Sequence, residues 1–178
     1  MEYVIKLNLP QLDQVLTAEA LSMINVTPTD AVRSYYKPAD IMRSEFLIVN
    51  GFKWDRIFDF SKPPKYTAQI HTDSFLHKCA WGINWIYGAD GLLNYWDRKD
   101  VVENETINNK LGNLVRFKPT DIPPIKSYYM TPAAYLVNAR EPHQAVSIGD
   151  RHCISARCST SYNFSWEEIV DRFQDYII

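Results

Sequence analysis

The sequence predicts an α+β protein in which a two-sheet barrel of jelly-roll type is flanked by helices. Short runs rich in β-branched and aromatic residues, separated by Gly, Pro, Asn and Asp, fill residues 46–158, as is typical of antiparallel strands. Apolar residues at helical spacing precede this region and return after it. Because the chain has 178 residues and is 46% hydrophobic, we expect a single domain, 1–178, with a jelly-roll core over about 46–160.

The N-terminal part is predicted to be mainly helical. Residues 2–9 have the pattern of a strand, and the apolar residues of 11–24 fall near helical spacing, which predicts a helix. A short helix is predicted from Asp30 to Tyr36, because Lys37-Pro38 would end it. Another helix is predicted over 39–45, and about eight strands are expected to follow.

The C-terminal segment SWEEIVDRFQDYII is predicted to form the closing helix. Ser165 is followed three residues later by Glu168, which is the spacing of a capping box. An apolar stripe at helical spacing then predicts that the helix packs on the sheet. The stripe consists of Trp166, Ile169, Val170, Phe173 and Ile177.

Composition and charge narrow the class of protein. The longest apolar runs fall short of the roughly 18 residues that a membrane span needs, and MEYVIKLNLP lacks the basic start of a secretory signal. Three cysteines without C-x-x-C spacing favour a reducing compartment, so we expect a cytoplasmic protein. Net charge is −2 and there is no Lys/Arg run, so the sequence gives no reason to expect a nucleic-acid partner.

The stretch QIHTDSF contains the first candidate metal ligands. Side chains two apart in a strand point to the same face, so His71 and Asp73 could offer a nitrogen and an oxygen to one ion. An H-x-D pair alone is weak support for a site, since such pairs arise by chance. A third ligand has to come from elsewhere in the chain.

The third candidate is His143, in NAREPHQAVSIGDRHCISARC. This segment is predicted to form a hairpin, with one strand from His143 to Ser147, a turn at Gly149-Asp150, and a second strand from Arg151 to Cys158. Arg151, Cys153, Ser155 and Arg157 would then share one face of the second strand. The hairpin would place a histidine beside an arginine and a serine.

Two histidines and one carboxylate with open positions are the ligands of non-haem Fe(II) oxygenases. An arginine and a hydroxyl suit a carboxylate, because the guanidinium fork grips it through two hydrogen bonds. In this chain the order is H-x-D, a distal His, an Arg eight residues later and a Ser four residues after that.

With this order, the chain resembles the Fe(II)/2-oxoglutarate-dependent dioxygenases, and most closely their small prolyl-hydroxylase-like and phage-type members. The resemblance covers about residues 50–160. It is carried by FDFSKPPKYTAQIHTDS, KCAWGINWIYGADGLLNYWD and LVNAREPHQAVSIGDRHCISARC. It implies a double-stranded β-helix, Fe(II), 2-oxoglutarate and O₂, with hydroxylation of a protein side chain or a small molecule. For a phage-encoded protein, the compartment would be the cytoplasm of the host.

Carried over residue by residue, the resemblance implies that His71, Asp73 and His143 bind iron. Arg151 would then pair with the distal carboxylate of 2-oxoglutarate, with Ser155 beside it.

Arg157 is the alternative partner of that carboxylate, because it begins an Arg-x-Ser triplet with Ser159. Arg151 is favoured because its spacing from His143 is closer to the prolyl-hydroxylase pattern.

Asn84 is a further candidate contact of the co-substrate. In CAWGINWIYG it shares a strand face with Ala80, Gly82 and Ile86, which are mostly small. A buried Asn satisfied by the backbone is the alternative interpretation. The opposite face is bulky and is predicted to be core; it consists of Cys79, Trp81, Ile83, Trp85 and Tyr87.

Two other functions are compatible with the sequence. One is a non-catalytic jelly-roll binding or structural module, in which the candidate ligands would not meet. The other is a cupin-like metal enzyme without 2-oxoglutarate, although cupins commonly use more His ligands and this chain has only four His. The substrate and the oligomeric state are left open.

Overall fold

A computed structural model describes most of the chain. The described residues are 1–24, 26–35, 37–44, 46, 52, 54–73, 80–109, 112–158 and 164–178. Within them are twelve strands: β1 Val4–Leu7, β2 Ala31–Tyr35, β3 Trp54–Lys62, β4 His71–Asp73, β5 Trp81–Gly88, β6 Gly91–Tyr95, β7 Glu103–Asn109, β8 Gly112–Phe117, β9 Lys126–Met130, β10 Ala134–Asn138, β11 His143–Ser147 and β12 Arg151–Cys158.

The strands form two antiparallel sheets of six strands each. Sheet I has the order β1-β10-β5-β12-β3-β2, and sheet II has the order β7-β8-β4-β11-β6-β9. Strand neighbours in space are mostly distant in the sequence, so each sheet is assembled from both halves of the chain. The predicted core of two antiparallel sheets is therefore present as a β-sandwich, with ten described strands after residue 46 where about eight were predicted. β1 and β2, which precede residue 46, belong to sheet I.

Helices cover the outer face of sheet I. Besides 3-10 turns at Pro38–Asp40, Arg98–Asp100 and Gln174–Tyr176, the described helices are α1 (Leu12–Val15), α2 (Ala18–Ile24) and α3 (Trp166–Arg172). Their apolar side chains join those of β5, β10 and β12 in the largest hydrophobic cluster. None of the helices in the described ranges has the length and apolar character needed to cross a lipid bilayer.

The capping box predicted for the closing helix is confirmed. The Ser165 side chain accepts a hydrogen bond from the Glu168 backbone N–H, and the Glu168 side chain accepts one from the Ser165 backbone N–H. Ile169 and Phe173 are fully buried against sheet I, so the apolar stripe packs on the sheet as predicted.

A second apolar cluster lies between the two sheets. It joins Ile86 of β5 and Val137 of β10 to Leu93 of β6 and Met130 of β9. A third cluster, which includes Val115 and Phe117, covers the opposite face of β8. The space between the sheets is therefore apolar over part of its area, and the remainder holds the polar residues described below.

The predicted helix over 11–24 is interrupted. Leu16 has an extended backbone and forms an isolated bridge with Met42. Thr17 then starts a new helix, because its hydroxyl accepts a hydrogen bond from the Ala20 N–H at 3.3 Å. A threonine that caps a helix in this way favours the start of a new helix at this position over continuation of the preceding one.

The two other predicted N-terminal helices are wrong. Residues 31–35 form β2, which pairs with β3, so strand pairing overrides a weak helical pattern. Asp30 precedes this strand with a φ of 52° and pairs with Lys62 of β3. The 39–45 helix is reduced to one 3-10 turn at Pro38–Asp40; Tyr36 and Glu45 lie outside the described residues.

The predicted hairpin of β11 and β12 is also wrong, although both strands have the predicted bounds. β11 pairs with β4 and β6 in sheet II, whereas β12 pairs with β3 and β5 in sheet I. The turn at 148–150 therefore crosses from one sheet to the other. His143 and Arg151 face a shared space between the sheets instead of lying side by side.

Candidate metal centre and adjoining cavity

A cavity of about 440 Å³ lies between the sheets and is lined by all the candidate site residues except Ser155. Sheet II contributes His71, His143 and Asp73, and sheet I contributes Arg151 and Arg157. Leu93, Met130 and Val137 form an apolar part of the cavity wall. Cavities of this kind, apolar with a few convergent polar groups, are typical of small-molecule sites.

The three predicted metal ligands meet at one end of the cavity. Antiparallel pairing of β4 with β11 sets His71 directly opposite His143, and their ring centroids are 4.4 Å apart. Asp73 lies two residues farther along β4 and on the same face. Ligand atoms of all three residues lie within 4.8 Å of one another, which is close enough to share one ion.

Both imidazoles are fixed through their other nitrogen. The Nδ1–H of His71 donates to the Gln69 carbonyl at 2.8 Å, and the Nδ1–H of His143 donates to the Glu141 carbonyl at 2.9 Å. A carbonyl can only accept, so the proton is on Nδ1 and the Nε2 lone pair is free in the neutral ring. Bonds of this kind orient histidine ligands in metal proteins.

Burial and charge set the protonation of His143 and Asp73. Burial, followed by the neighbouring His71, lowers the pKa of His143 to about 4. Burial by itself raises the pKa of Asp73, but the charge of Arg157, helped by the two histidines, outweighs it and leaves that pKa below its ordinary value. His143 is therefore neutral and Asp73 ionised near neutral pH, as metal ligands must be.

Arg151 lies at the other end of the cavity. Its side chain is buried, with 6% of its surface exposed, and its Nη1 donates a long hydrogen bond to the Val146 carbonyl at 3.4 Å. Among the described residues it has no carboxylate within salt-bridge distance. Burial lowers its pKa, yet arginine stays charged in proteins, so this end of the cavity presents a cation that forms no salt bridge with a described residue.

Gly91 of β6 makes room for that guanidinium. A Cβ on Gly91 would lie 1.9 Å from the Arg151 Nη1 and 2.3 Å from the Val146 carbonyl oxygen. Sequence reasoning missed this residue, because Gly91 reads as part of the turn before β6. The available signal was a glycine at the start of a strand, which marks close approach by another group.

Arg157 occupies a different position from Arg151. Its Nη2 donates to the Asp73 Oδ2 at 2.9 Å, so its guanidinium is at the metal end and already has a carboxylate partner. Ser159, the other end of the Arg-x-Ser triplet, lies outside the described residues. The two candidate arginines thus face opposite ends of the same cavity.

Asn84 and Ser155 lie between these ends, opposite each other on β5 and β12. Asn84 lines the cavity, and Ser155 is fully buried. The Asn84 Oδ1 and the Ser155 Oγ have no hydrogen-bond partner among the described residues. The alternative interpretation, in which the backbone satisfies a buried Asn84, therefore does not hold for the Asn84 Oδ1 within the described residues.

The predicted division of β5 into two faces is largely confirmed. Trp81, Ile83 and Trp85 belong to the outer cluster, while Ile86 belongs to the cluster between the sheets. Tyr87 is the exception, because it is 39% exposed. Cys79 lies outside the described residues.

Two further cavity residues were not foreseen as site residues. Cys153 follows Arg151 on the same strand face and lines the cavity, and burial raises the pKa of its thiol to about 11. Tyr66 lines the cavity as well, with the Lys62 ammonium 4.2 Å from its ring centroid. Alternation along β12 placed Cys153 on the site face, whereas no pattern identified Tyr66.

Comparisons with models of known protein families and with curated protein sequences give no match for this chain.

Proposed function

We propose that this protein is an Fe(II)- and 2-oxoglutarate-dependent oxygenase built on a double-stranded β-helix. The observation that carries the proposal is the pairing of two features in one cavity. A His-Asp-His cluster lies at one end, and the buried Arg151, without a carboxylate partner among the described residues, lies at the other. The two antiparallel six-stranded sheets support the fold assignment.

The donor set fits a non-haem Fe(II) centre. Two imidazole nitrogens and one carboxylate oxygen are the ligands of that class, which leaves positions free for exogenous ligands. His71 and His143 would bind through Nε2, since their Nδ1 atoms donate to backbone carbonyls. Asp73 would bind through the oxygen that Arg157 leaves free.

Arg151 fits the distal carboxylate of 2-oxoglutarate. A buried cation without a partner is costly, and an anionic ligand removes that cost. His143 and Ser147 are the ends of β11, so four residue steps of about 3.4 Å separate the metal end from the Arg151 end. A short diacid, together with the reach of the arginine side chain, suits this separation.

Asn84 lies on the cavity wall between the two ends, so its amide N–H groups could donate to an oxygen of the bound co-substrate. Ser155 is buried opposite it on the neighbouring strand and does not line the cavity. Leu93, Met130 and Val137 line the cavity and would keep water from the bound co-substrate.

When bound, iron with 2-oxoglutarate and O₂ supplies oxidation of a substrate C–H bond, coupled to decarboxylation of 2-oxoglutarate to succinate. The chain's own residues bind, orient and exclude water, which is the usual division of labour in cofactor enzymes. The substrate is a protein side chain or a small molecule that enters the same cavity.

The first experiment is a visible spectrum recorded without oxygen after Fe(II) and 2-oxoglutarate are added. We expect a weak metal-to-ligand charge-transfer band in the wild type and its loss in His143→Ala. His152→Gln is the matched control, because His152 is buried outside the cavity and pairs with Asp59. Circular dichroism checks that each variant is folded.

A band in the wild type and in His152→Gln but not in His143→Ala supports the proposal. No band in folded, iron-loaded wild-type protein contradicts it and favours the non-catalytic module. Metal binding that 2-oxoglutarate leaves unchanged favours a metal enzyme that does not use this co-substrate.

A further inference from the structure

The side chain of Arg157 lies along the wall of sheet I and ends at Asp73. A Cβ on Gly82 would lie 2.8 Å from the Arg157 Cδ and 3.0 Å from its Nε. The stem of the arginine therefore rests on Gly82, where β5 has no side chain to obstruct it. This contact defines the path by which Arg157 of sheet I reaches a residue of sheet II.

The contact divides the two oxygens of Asp73 between different neighbours. Oδ2 accepts a hydrogen bond from the Arg157 Nη2 at 2.9 Å, whereas Oδ1 lies 3.6 Å from the His71 Nε2. Charge-assisted bonds between guanidinium and carboxylate are strong and directional. The orientation of the carboxylate is thus fixed before any ion binds.

We propose that Arg157 is a positioning residue that restricts Asp73 to binding a metal ion through Oδ1 alone. The inference rests on the metal centre of the proposed function. Carboxylates can bind an ion through one or both oxygens, and the guanidinium removes the second choice. One-oxygen binding leaves the ion one more position for exogenous ligands than two-oxygen binding does.

This role separates the two arginines that flank the cavity. Arg157 already has its carboxylate within the protein, while Arg151 has none among the described residues. Loss of Arg157 is therefore expected to disturb the metal centre, and loss of Arg151 is expected to disturb the binding of an anionic ligand.

The test uses Co(II) as a spectroscopic probe with the full-length protein. Calorimetry gives the Co(II) affinity, and visible absorption reports the number and arrangement of ligands around the ion. We expect Arg157→Gln to weaken Co(II) binding about 10- to 100-fold, the usual effect of losing a group that orients a ligand. We also expect its visible spectrum to change, because Asp73 is then free to use both oxygens.

Arg116→Gln is the matched control. Arg116 lines the same cavity and lies opposite His71 in the sheet, but its partner is Glu105, at 2.9 Å. Removal of this charge should leave both the Co(II) affinity and the spectrum as in the wild type. A shared effect of both variants would mean that net cavity charge matters, and would overturn the positioning role.

The outcomes distinguish this inference from the proposed function. If the wild type fails to bind Co(II), the metal centre itself is wrong. If the wild type binds Co(II) and Arg157→Gln has the same affinity and spectrum, only the role of Arg157 is overturned. If Arg157→Gln does not fold, Arg157→Lys decides: we expect weaker binding than in the wild type, and equal binding would contradict the proposal.

Discussion

The two faces of sheet I are built from the same strands but have opposite chemistry. On the outer face, β5 and β12 present residues such as Trp85 and Ile154, which are 2% and 1% exposed and lie beneath the helices. On the inner face the same strands present Asn84, Ser155 and Arg151, whose polar groups are poorly satisfied within the described protein. Strand alternation produces this contrast without any change of backbone.

The difference indicates how the molecule divides stability from chemistry. Apolar burial beneath the helices stabilises the outer face of this sheet. The inner face violates the rule that buried polar groups find partners, as functional sites commonly do. Substitutions on the outer face should therefore lower the free energy of unfolding, whereas substitutions on the inner face should weaken ligand binding.

The largest expected effect comes from Trp85→Ala on the outer face. Trp85 packs edge-on against Phe46 and donates from Nε1 to the Pro10 carbonyl at 3.2 Å. Its loss leaves a void and an unpaired carbonyl, so we expect the free energy of unfolding to fall by about 3–5 kcal/mol. Denaturant titration followed by circular dichroism measures this, with Trp85→Phe as the milder control.

The proposed separation between a stabilising outer face and a binding inner face is contradicted if Trp85→Ala also loses metal affinity under conditions in which it is still folded. Such a result would mean that the outer face shapes the site directly, and not only the stability of the fold.

The next largest effect is expected from Arg151→Gln on the inner face. Truncation of one partner of a buried charge pair costs about 2–5 kcal/mol of binding, so the affinity for 2-oxoglutarate should fall roughly thirtyfold or more. Stability should not fall, since an uncompensated buried cation is removed. Calorimetry with Co(II)-loaded protein measures the affinity, and Arg33→Gln, an exposed arginine of β2, is the control.

Unchanged 2-oxoglutarate affinity in Arg151→Gln would exclude Arg151 as the carboxylate partner. The same loss in Arg33→Gln would indicate a nonspecific effect of charge.

The smallest effect is expected from Asn84→Ala. A single hydrogen bond contributes about 0.5–1.5 kcal/mol, so 2-oxoglutarate binding should weaken only severalfold. Thermal unfolding of the apo protein should be unchanged or occur at a slightly higher temperature, because the Asn84 Oδ1 has no described partner to lose. A clear loss of stability would instead assign Asn84 to the architecture of the sheet.

Local patterns were sufficient to locate much of the site. The alternation rule put His71 and Asp73 on one face, and the bounds of β11 and β12 were predicted correctly. The capping box at Ser165 was equally local, since both of its bonds join residues three apart. Features of this kind depend on near neighbours and can be read from one sequence.

Features that depend on distant segments could not be predicted. A short turn between two strands normally means a hairpin, yet β11 and β12 pair with different sheets because β4, β6, β3 and β5 compete for their edges. The partner of Arg157 was invisible for the same reason, since Asp73 is 84 residues away. Alternation along a strand predicts which face of the sheet a side chain is on, but not which residue it contacts there.

The turn between β11 and β12 has a mechanical consequence. Only residues 148–150 connect Ser147 of sheet II to Arg151 of sheet I, and an extended chain spans at most about 3.6 Å per residue. Packed sheets lie about 10 Å apart, and the four Cα steps from Ser147 to Arg151 reach about 14 Å, so the sheets can separate by only a few ångströms at this point. Residues 139–142 join the same two sheets beside His143, so the width of a molecule held between Arg151 and the histidines is limited by covalent connectivity as well as by side-chain packing.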